Sequence, residues 1–451
     1  MTRLPLRLAL ALALVGGLLA AAPGRAAPAH AEGCAFPFTP TSYEDLKDRK
    51  LFTDTIELAA FNMLFPDDPY FGLPDLEFGP RNARQAEPGK IPTVLLKAIG
   101  WIESSITQAA GDVPFGSIGP ALVSFDCGHG VAQVTSGMTV PAGEDGRGSP
   151  EQALVASHFA YNIARGAFIL ADKWNDAPEQ RPIVGLDTNG HPGVIENWYY
   201  AVWSYNGFTG PGANRSNHPM DPIYGSWPRS PYSCGGSGDG KGHNRGNYPY
   251  QELVFGCAAS PPVVDGEALW QAQAISLPDL DSGDFEQALD LDNFIFPYVN
   301  MDIPTPQPFH VDAAEAPDGD LREAILGSPR LELSRDRIKI GVAPESGSTV
   351  ELVNIFNQGS GVLAWYATPT EPWLKVLPYA GVAVGEELPC ERDAPCNRVG
   401  RLSITVDASQ APPGARTASI RVQALGTHQS MIIEVEISKV IRLGVPGVTR
   451  H

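Results

Sequence analysis

The sequence is poor in positive charge. It has 32 lysine and arginine residues against 51 aspartate and glutamate residues, so its formal net charge is −19 at pH 7. This balance excludes the broad basic surface that general nucleic-acid binding requires. It also fits poorly with simple electrostatic attraction to anionic cell-wall polymers. Much of the negative charge lies between residues 279 and 320, so it need not face a binding cleft.

Long hydrophobic runs are also scarce. Beyond the N-terminus, no stretch reaches the length of a membrane-spanning helix. At the N-terminus, Arg3 and Arg7 precede an apolar run from Leu8 to Ala22 that is short for a span, and Ala29-His30-Ala31 supplies a small-residue cleavage site. We therefore predict a secretory signal peptide over residues 1–31, with a retained membrane anchor as the alternative.

Cysteine is rare, with six residues in the chain. All six follow the predicted cleavage site, and an even number in an exported protein favours disulfides over free thiols. Sequence alone leaves the connectivity open. We expect one pair across a short loop near the C-terminus, one around a glycine-rich loop, and one that ties the N-terminal arm to the first domain. These pairs are Cys390–Cys396, Cys234–Cys257 and Cys34–Cys127.

One apolar stretch has the pattern of a buried helix, with Leu95, Ile99 and Ile102 at helical spacing and Pro92 suited to the first turn. Glu103 lies one step beyond this apolar stripe, just before a loop rich in glycine and proline. A carboxyl group placed there can be partly buried, and desolvation would raise its pKa so that it keeps a proton at neutral pH. Glu103 is therefore a candidate general acid, and a solvated glutamate at a helix end is the alternative.

Three further motifs follow Glu103-Ser104 along the chain. They are Gly130-Val131-Ala132-Gln133, Asn162-Ile163-Ala164-Arg165-Gly166 and Trp203-Ser204-Tyr205-Asn206-Gly207. This ordered set resembles the soluble lytic transglycosylase family, which shares a lysozyme-like fold with goose-type lysozymes. In that family a Glu-Ser pair ends the catalytic helix, a Gly-Leu-Met-Gln motif follows, an Asn-x-x-x-Gly helix supports the cleft, and an Ala-Tyr-Asn-Ala-Gly motif closes it. The resemblance covers about residues 90–257.

The resemblance implies that Glu103 is the catalytic residue of a peptidoglycan lytic transglycosylase. It would protonate the glycosidic oxygen between N-acetylmuramic acid and N-acetylglucosamine, and then act as a base on the muramyl hydroxyl that closes an anhydro ring. The implied substrate-binding residues are Ser104, Gln133, Asn162, Tyr205 and Asn206, among which Asn162 is expected to brace the cleft by hydrogen bonds. We expect no cofactor and no metal, because the spacings of the histidines and aspartates match no metal site that we can name.

Two departures from the family pattern leave the substrate preference open. Val131-Ala132 replaces a larger Leu-Met pair, and the loop from Gly111 to Asp126 is long. If Asp112 or Asp126 supplies a second carboxylate, a lysozyme-like inverting glycoside hydrolase becomes the alternative. A non-catalytic cell-wall glycan-binding protein is a third interpretation, which the acidic charge favours and an intact Glu103 disfavours.

The remaining helical patterns frame this site. We predict a helical stretch from Tyr43 to Phe61 and a closing helix from Tyr248 to Phe255 that leads to Cys257. One long helix is predicted from Pro150 through Trp174, because Ser149 and Gln152 at its start have the capping-box spacing. His158 lies on the apolar stripe of the long helix with no second histidine at metal-ligand spacing, so it is interpreted as a buried core histidine.

Beyond residue 330 apolar and polar residues alternate, as in Ile338 to Val342 and Leu402 to Val406. This period predicts seven or eight short strands and an Ig-like β-sandwich. The run from Asn357 to Val376 resembles the bacterial Ig-like modules called BACON domains, which are often appended to secreted carbohydrate enzymes. Trp365 and Trp373 within it fit either a core or a sugar platform.

Together these patterns predict a multidomain chain, in which a mainly α lysozyme-like domain precedes an all-β Ig-like sandwich. The predicted regions are a signal peptide (1–31), an N-terminal arm (32–89), the lysozyme-like domain (90–260), an acidic proline-rich linker (261–329), the sandwich (330–440) and a tail (441–451). The expected location is secreted or in the cell envelope. The expected partner is peptidoglycan or a related glycan, with no nucleic acid and no stable membrane insertion after signal cleavage.

Overall fold

The structure is a computed structural model, and it describes residues 34–176, 182–210, 216–225, 227–235, 244–285, 302–343, 347–391, 396–412 and 414–439. All of these residues lie within one compact unit. The predicted signal peptide and C-terminal tail lie outside them. The described chain contains both helices and β-sheets, so the fold is a mixed one.

Helices dominate the first part of the described chain. The α-helices are α1 (Lys50–Ala60), α2 (Thr93–Ser104), α3 (Pro150–Ser157), α4 (Phe159–Asn175), α5 (Tyr199–Tyr205), α6 (Tyr250–Ala259) and α7 (Asp320–Leu326). Short 3-10 helices span Glu144–Gly146, Leu186–Thr188, Ile195–Trp198, Pro222–Tyr224 and Arg245–Asn247. We call residues 50–259 the helical region.

The helix predicted over residues 95–104 is present as α2 and lies at the centre of the helical region, in contact with α1 and α6. It is apolar on nearly every side, which is typical of a helix buried in a core. It ends where Ser105 takes a left-handed conformation with φ of 60°. This termination leaves Glu103 in the last turn, next to the loop that follows.

The single long helix predicted from Pro150 to Trp174 is wrong, because the chain breaks at His158. Ser149 forms the predicted capping box with Gln152 at the start of α3, but His158 is extended and the two helical segments bend by 95°. The His158 ring accepts from Ala160 N (3.2 Å), which caps α4, and bonds Val362 O (3.1 Å) in the distant β region. It is buried, as predicted, and burial lowers its pKa to about 4.

The helix predicted from Tyr43 to Phe61 is also only partly correct, since α1 begins at Lys50. Thr41–Tyr43 forms strand β1 instead, which pairs antiparallel with β4 (Ile118–Pro120) inside the loop after α2. The buried Asp45 carboxylate accepts from Phe52 N in the first turn of α1 and from Leu46 N in the preceding loop, so it satisfies a backbone donor at the start of the helix.

The C-terminal part, residues 331–439, is called here the sheet region. Its four-stranded sheet has the order β12-β14-β10-β7, and its six-stranded sheet has the order β13-β11-β15-β16-β8-β9. Every pair is antiparallel except β8 with β16. The strands are β7 (Leu331–Leu333), β8 (Arg337–Ala343), β9 (Gly347–Ser348), β10 (Glu351–Asn357), β11 (Val362–Pro369), β12 (Leu374–Leu377), β13 (Ala380–Val384), β14 (Gly400–Val406), β15 (Thr417–Ala424) and β16 (Ser430–Lys439).

These ten strands exceed the seven or eight predicted. Trp365 and Trp373 are 1% and 3% exposed, so both tryptophans belong to the core and neither forms an exposed sugar platform. Three short antiparallel pairs of two or three residues per strand complete the strands. Two are hairpins, β2 (Leu76–Phe78) with β3 (Gln85–Glu87) and β5 (Val263–Val264) with β6 (Glu267–Ala268), and the third is the β1–β4 pair already described.

The sheet region packs directly on the helical region. The Arg147 guanidinium lies over the rings of Tyr379 (4.0 Å) and Tyr366 (5.2 Å), and it donates to Ala367 O (2.6 Å). The two tyrosine hydroxyls bond the backbone of Gly148, one accepting from its N–H and the other donating to its carbonyl. Cation–π contacts and buried hydrogen bonds therefore fix the two regions against each other.

The segment predicted as a linker lies against the helical region at several points. Ile303 pairs with Val184, and Val311 pairs with Val194, through isolated β-bridges. The fully buried Glu196 carboxylate accepts from His310 N (2.8 Å). The boundaries given for the linker, the arm and the two domains remain predictions.

The three disulfides join the expected partners, Cys34–Cys127, Cys234–Cys257 and Cys390–Cys396. Such bonds persist in oxidising compartments, so they indicate an extracellular or periplasmic location. Across the part of the chain that the structure covers, no single helix combines the length and apolarity needed to cross a membrane, although the bent pair Glu144–Ser157 and Phe159–Asn175 together meets the length and composition criteria.

Candidate functional site

Glu103 lies at the end of the central helix with its carboxyl group enclosed but not sealed from solvent. Its side chain is half-buried. Its pKa is raised from 4.5 to about 7, chiefly through desolvation by the surrounding protein, with a further contribution from the negative charge of Asp126. The carboxyl group is therefore poised to hold or release a proton near neutral pH, which is the property that general acid–base catalysis requires.

Three groups oppose this rise because they stabilise the charged form. The Tyr250 hydroxyl donates to Glu103 Oε1 over 2.6 Å. The positive charge of Arg245 and a side-chain hydrogen bond from Asn206 also lower the pKa of Glu103. Arg245 is held in place because its Nη2 donates to Ile102 O (2.6 Å), a carbonyl at the C-terminal end of α2.

Neighbouring side chains fix the orientation of these donors. Asn217 Nδ2 donates to Asn206 Oδ1 (3.0 Å), so the amide nitrogen of Asn206 is the atom available to the Glu103 carboxylate. Tyr250 is in the first turn of α6, where its own backbone N–H donates to Asn217 Oδ1 (3.4 Å). Asn217 thus positions both groups that hydrogen-bond Glu103.

The predicted motif Gly130-Val131-Ala132-Gln133 forms a tight turn beside Glu103, and side chains from several elements hold its backbone. Ser104 Oγ donates to Val131 O (2.8 Å), and Gln108 Oε1 accepts from Val131 N (3.1 Å). Tyr205 OH donates to Ala132 O (2.7 Å). The turn therefore joins the end of α2 to the end of α5.

Asn162 completes this support from α4 and is fully buried. Its Oδ1 accepts from Ala132 N (2.9 Å), while its Nδ2 donates to His129 O (2.6 Å) and Val155 O (3.0 Å). Gly166, one turn further along α4, lies so close to the motif that a Cβ there would be 2.4 Å from the Ala132 Cβ. The Asn-x-x-x-Gly pattern therefore serves packing against the turn.

The structure brings all six sequence-predicted site residues together around the turn and Glu103. Asn206 hydrogen-bonds the Glu103 carboxyl group directly, and burial together with the negative charge of Glu103 raises the pKa of Tyr205. The polar atoms of Ser104 and Asn162 are bonded to backbone groups. Gln133 Nε2 donates to Gly130 O (2.9 Å) within its own turn. Contacts of these residues with a substrate remain a prediction.

The two aspartates considered as a second carboxylate differ in position. Asp126 is exposed and close enough for its charge to raise the pKa of Glu103, and its Oδ1 accepts from Ser124 Oγ (2.6 Å). Asp112 is exposed as well. Asp126 is the candidate whose charge acts on Glu103.

Sequence reasoning missed Tyr250, Arg245 and Gln108. The available signal for Tyr250 was its place in the first turn of the predicted closing helix, but its partner is 147 residues away. Gln108 is fully buried, and an isolated polar residue in a loop sequence does not predict that burial. In the described ranges no group of three or more histidine, cysteine, aspartate or glutamate side chains is arranged to hold a metal ion.

Comparisons with known proteins give no family. No family model matches the chain, and no curated protein matches it. Among solved structures, one similar chain is the ASH/PapD-like domain of human CEP192 (PapD-like domain 7), at 12% identity and a TM-score of 0.18. The match covers 24% of this chain and 84% of that one.

Proposed function

We propose that the protein is a peptidoglycan lytic transglycosylase with Glu103 as its general acid and base. The observation that carries the proposal is the carboxyl group at the end of α2, which is half-buried, has a pKa of about 7 and accepts a hydrogen bond from Tyr250. With it we propose a lysozyme-like fold for the helical region and an Ig-like sandwich for the sheet region.

In the first step the protonated Glu103 gives its proton to the glycosidic oxygen, and the bond from that oxygen to the anomeric carbon of the muramyl residue breaks. The resulting carboxylate is stabilised by the Tyr250 hydroxyl, the Asn206 amide and the Arg245 charge. These donors are already in place, so no reorganisation is needed when the negative charge develops.

In the second step the Glu103 carboxylate accepts the proton of the C6 hydroxyl of the same muramyl residue. The hydroxyl oxygen bonds to the anomeric carbon and closes the anhydro ring, which returns Glu103 to its acid form. One carboxyl group serves both steps, and a pKa near 7 suits a group that must act as acid and then as base at neutral pH.

Asp126 supports a second candidate, a lysozyme-like inverting hydrolase. Its charge acts on Glu103, so its carboxylate lies near the site where a water molecule would have to be activated. An inverting mechanism needs a base roughly 6.5–9.5 Å from the acid. The product distinguishes the two reactions, since hydrolysis leaves a reducing muramic end and transglycosylation an anhydro end.

The test is mass spectrometry of fragments released from purified peptidoglycan by the mature protein. We expect anhydro-muramic ends from the wild type and none from Glu103→Gln. Glu144→Gln, which removes an exposed carboxylate outside the set of predicted site residues, is the matched control and should retain activity.

Reducing ends would replace the proposal with the hydrolase and direct attention to Asp126. If no wall type releases fragments but Glu103→Gln and the wild type pellet equally with insoluble walls, the protein binds glycan without cutting it.

A further inference from the structure

A cavity of about 900 Å³ opens where the helical and sheet regions meet. Its walls come from the loop 65–71, from α3 and α4, and from the turn 425–429 between β15 and β16, while α7 forms one rim. Neither Glu103 nor the turn 130–133 lines it. The cavity is therefore separate from the proposed catalytic cleft, and its volume lies within the range of small-molecule sites.

One wall of this cavity is aromatic. The rings of Phe65 and Tyr161 are stacked with centroids 4.2 Å apart and an interplanar angle of 19°. Phe71 is buried and packs edge-on against both Tyr161 and Tyr70, with centroids 4.9 Å apart in each pair. Phe65 and Tyr161 cover one face of each other, and the Arg165 guanidinium lies 3.9 Å over the Tyr70 ring. All three rings are only half-buried, so the wall offers their remaining apolar surface, and the buried Phe71 holds it in place.

Charged groups surround this aromatic wall. Arg322 is exposed and anchored by its Nε, which donates to Leu64 O (2.8 Å). Glu151 and Glu323 contribute exposed carboxylates. Asp68 Oδ1 accepts from Tyr70 N (2.8 Å) and Phe71 N (3.1 Å), which fixes this carboxylate against the aromatic loop.

This combination matches one ligand chemistry best. A sugar ring has an apolar C–H face that stacks on an aromatic plane, and hydroxyl and amide groups around its edge that bond carboxylates and guanidinium. Three carboxylates against one guanidinium disfavour a phosphate-rich or otherwise anionic ligand. A wholly apolar ligand would desolvate the charged rim without replacing its hydrogen bonds.

We propose that this cavity is a second glycan-binding site, which takes a short stretch of a neutral amino-sugar strand. The saccharide class follows from the cavity itself, and the choice of an N-acetylated amino sugar rests on the proposed function. Helix α4 links the two sites, because Tyr161 lines the cavity and the adjacent Asn162 holds the turn beside Glu103. A strand bound at the second site would raise the effective concentration of glycan near the cleft.

The test uses full-length mature Glu103→Gln protein, which does not consume its ligand, and the hexamer of N-acetylglucosamine as the probe. Calorimetric titration should give two sites per chain. Adding Glu323→Trp places a bulky side chain on the cavity rim, and we expect it to remove one site. Ala324→Trp, an exposed neighbour on α7 that does not line the cavity, is the matched control and should keep both.

Phe65→Leu keeps apolar volume but removes a stacking face, so it should weaken hexamer binding at the second site by about fivefold. It also provides an independent variant if Glu323→Trp is poorly folded. Equal titrations for Glu323→Trp, Phe65→Leu and Ala324→Trp would overturn the second site, as would an absence of hexamer binding in every variant. If the titration gives one site and adding Glu323→Trp abolishes it, the glycan binds in this cavity and not in the cleft. That outcome would support the second site and count against glycan binding beside Glu103.

Discussion

Replacing Glu103 by glutamine should change stability in a way that depends strongly on pH. In the folded protein the Glu103 pKa is about 7, against an ordinary value of 4.5. The unfolded chain therefore releases this proton at lower pH than the folded chain does. As pH rises from 4.5 to 7, the folded state binds more protons than the unfolded state, so the wild type loses stability over this window. Glutamine stays neutral throughout.

The expected size follows from the two pKa values. Each pKa unit is worth about 1.4 kcal/mol, so a difference of about 2.5 corresponds to about 3.5 kcal/mol above pH 7. Relative to wild type, Glu103→Gln should gain this amount between pH 4 and pH 8. The glutamine side-chain oxygen can still accept from the Tyr250 hydroxyl, so the main change is the loss of a titrating charge.

Urea unfolding at pH 4, 6 and 8, followed by tryptophan fluorescence, measures this difference, since Trp198 and Trp203 are fully buried in the helical region. The exposed Glu144→Gln variant should show no pH-dependent gain. A difference between Glu103→Gln and wild type that stays constant to within about 0.5 kcal/mol over this range would refute the desolvation of Glu103 and with it the proposed acid role.

Three further variants test the surroundings of Glu103. Tyr250→Phe removes a donor to the Glu103 carboxylate, so the Glu103 pKa should rise. The alkaline limb of the pH–rate profile should then move to higher pH, and turnover should fall by about tenfold. An alkaline limb that does not move contradicts this prediction. Asp126→Asn removes a repulsive charge, so the Glu103 pKa should fall and the alkaline limb should move to lower pH while anhydro ends are still formed. Loss of all products would instead make Asp126 an essential second carboxylate. Asn162→Leu leaves buried backbone groups of the turn unpaired, so it should lower the free energy of unfolding, measured with urea, by about 3 kcal/mol. A decrease below about 1 kcal/mol would show that the turn is stable without the Asn162 side chain.

Local patterns predicted the elements on which the site depends. The apolar spacing in α2 located the helix whose last turn contains Glu103, and the capping box located Ser149 as the residue that precedes and caps α3. The sequence left the disulfide connectivity open, and the three expected pairs are the ones that form. Each of these features is decided by residues close in sequence or by the small number of available partners.

The features that the sequence did not predict depend on contacts between residues far apart in the chain. His158 interrupts a helical pattern that continues on both sides of it, and the bond of its ring to Val362 O spans 204 residues. Tyr250 reaches Glu103 only because α2 and α6 pack side by side. Binary periodicity reports which face of an element is buried, but it does not report which distant group will meet a given side chain.

The packing of Arg147 against Tyr366 and Tyr379 limits how far the sheet region can move relative to Glu103. An appended module on a free tether can search a wide area while the catalytic centre works elsewhere. Here the sheet region is fastened to the same body as Glu103, so whatever surface it touches lies at a fixed distance from the carboxyl group. Under the proposed function, cleavage would then be restricted to strands at one fixed distance from any wall contact that the sheet region makes.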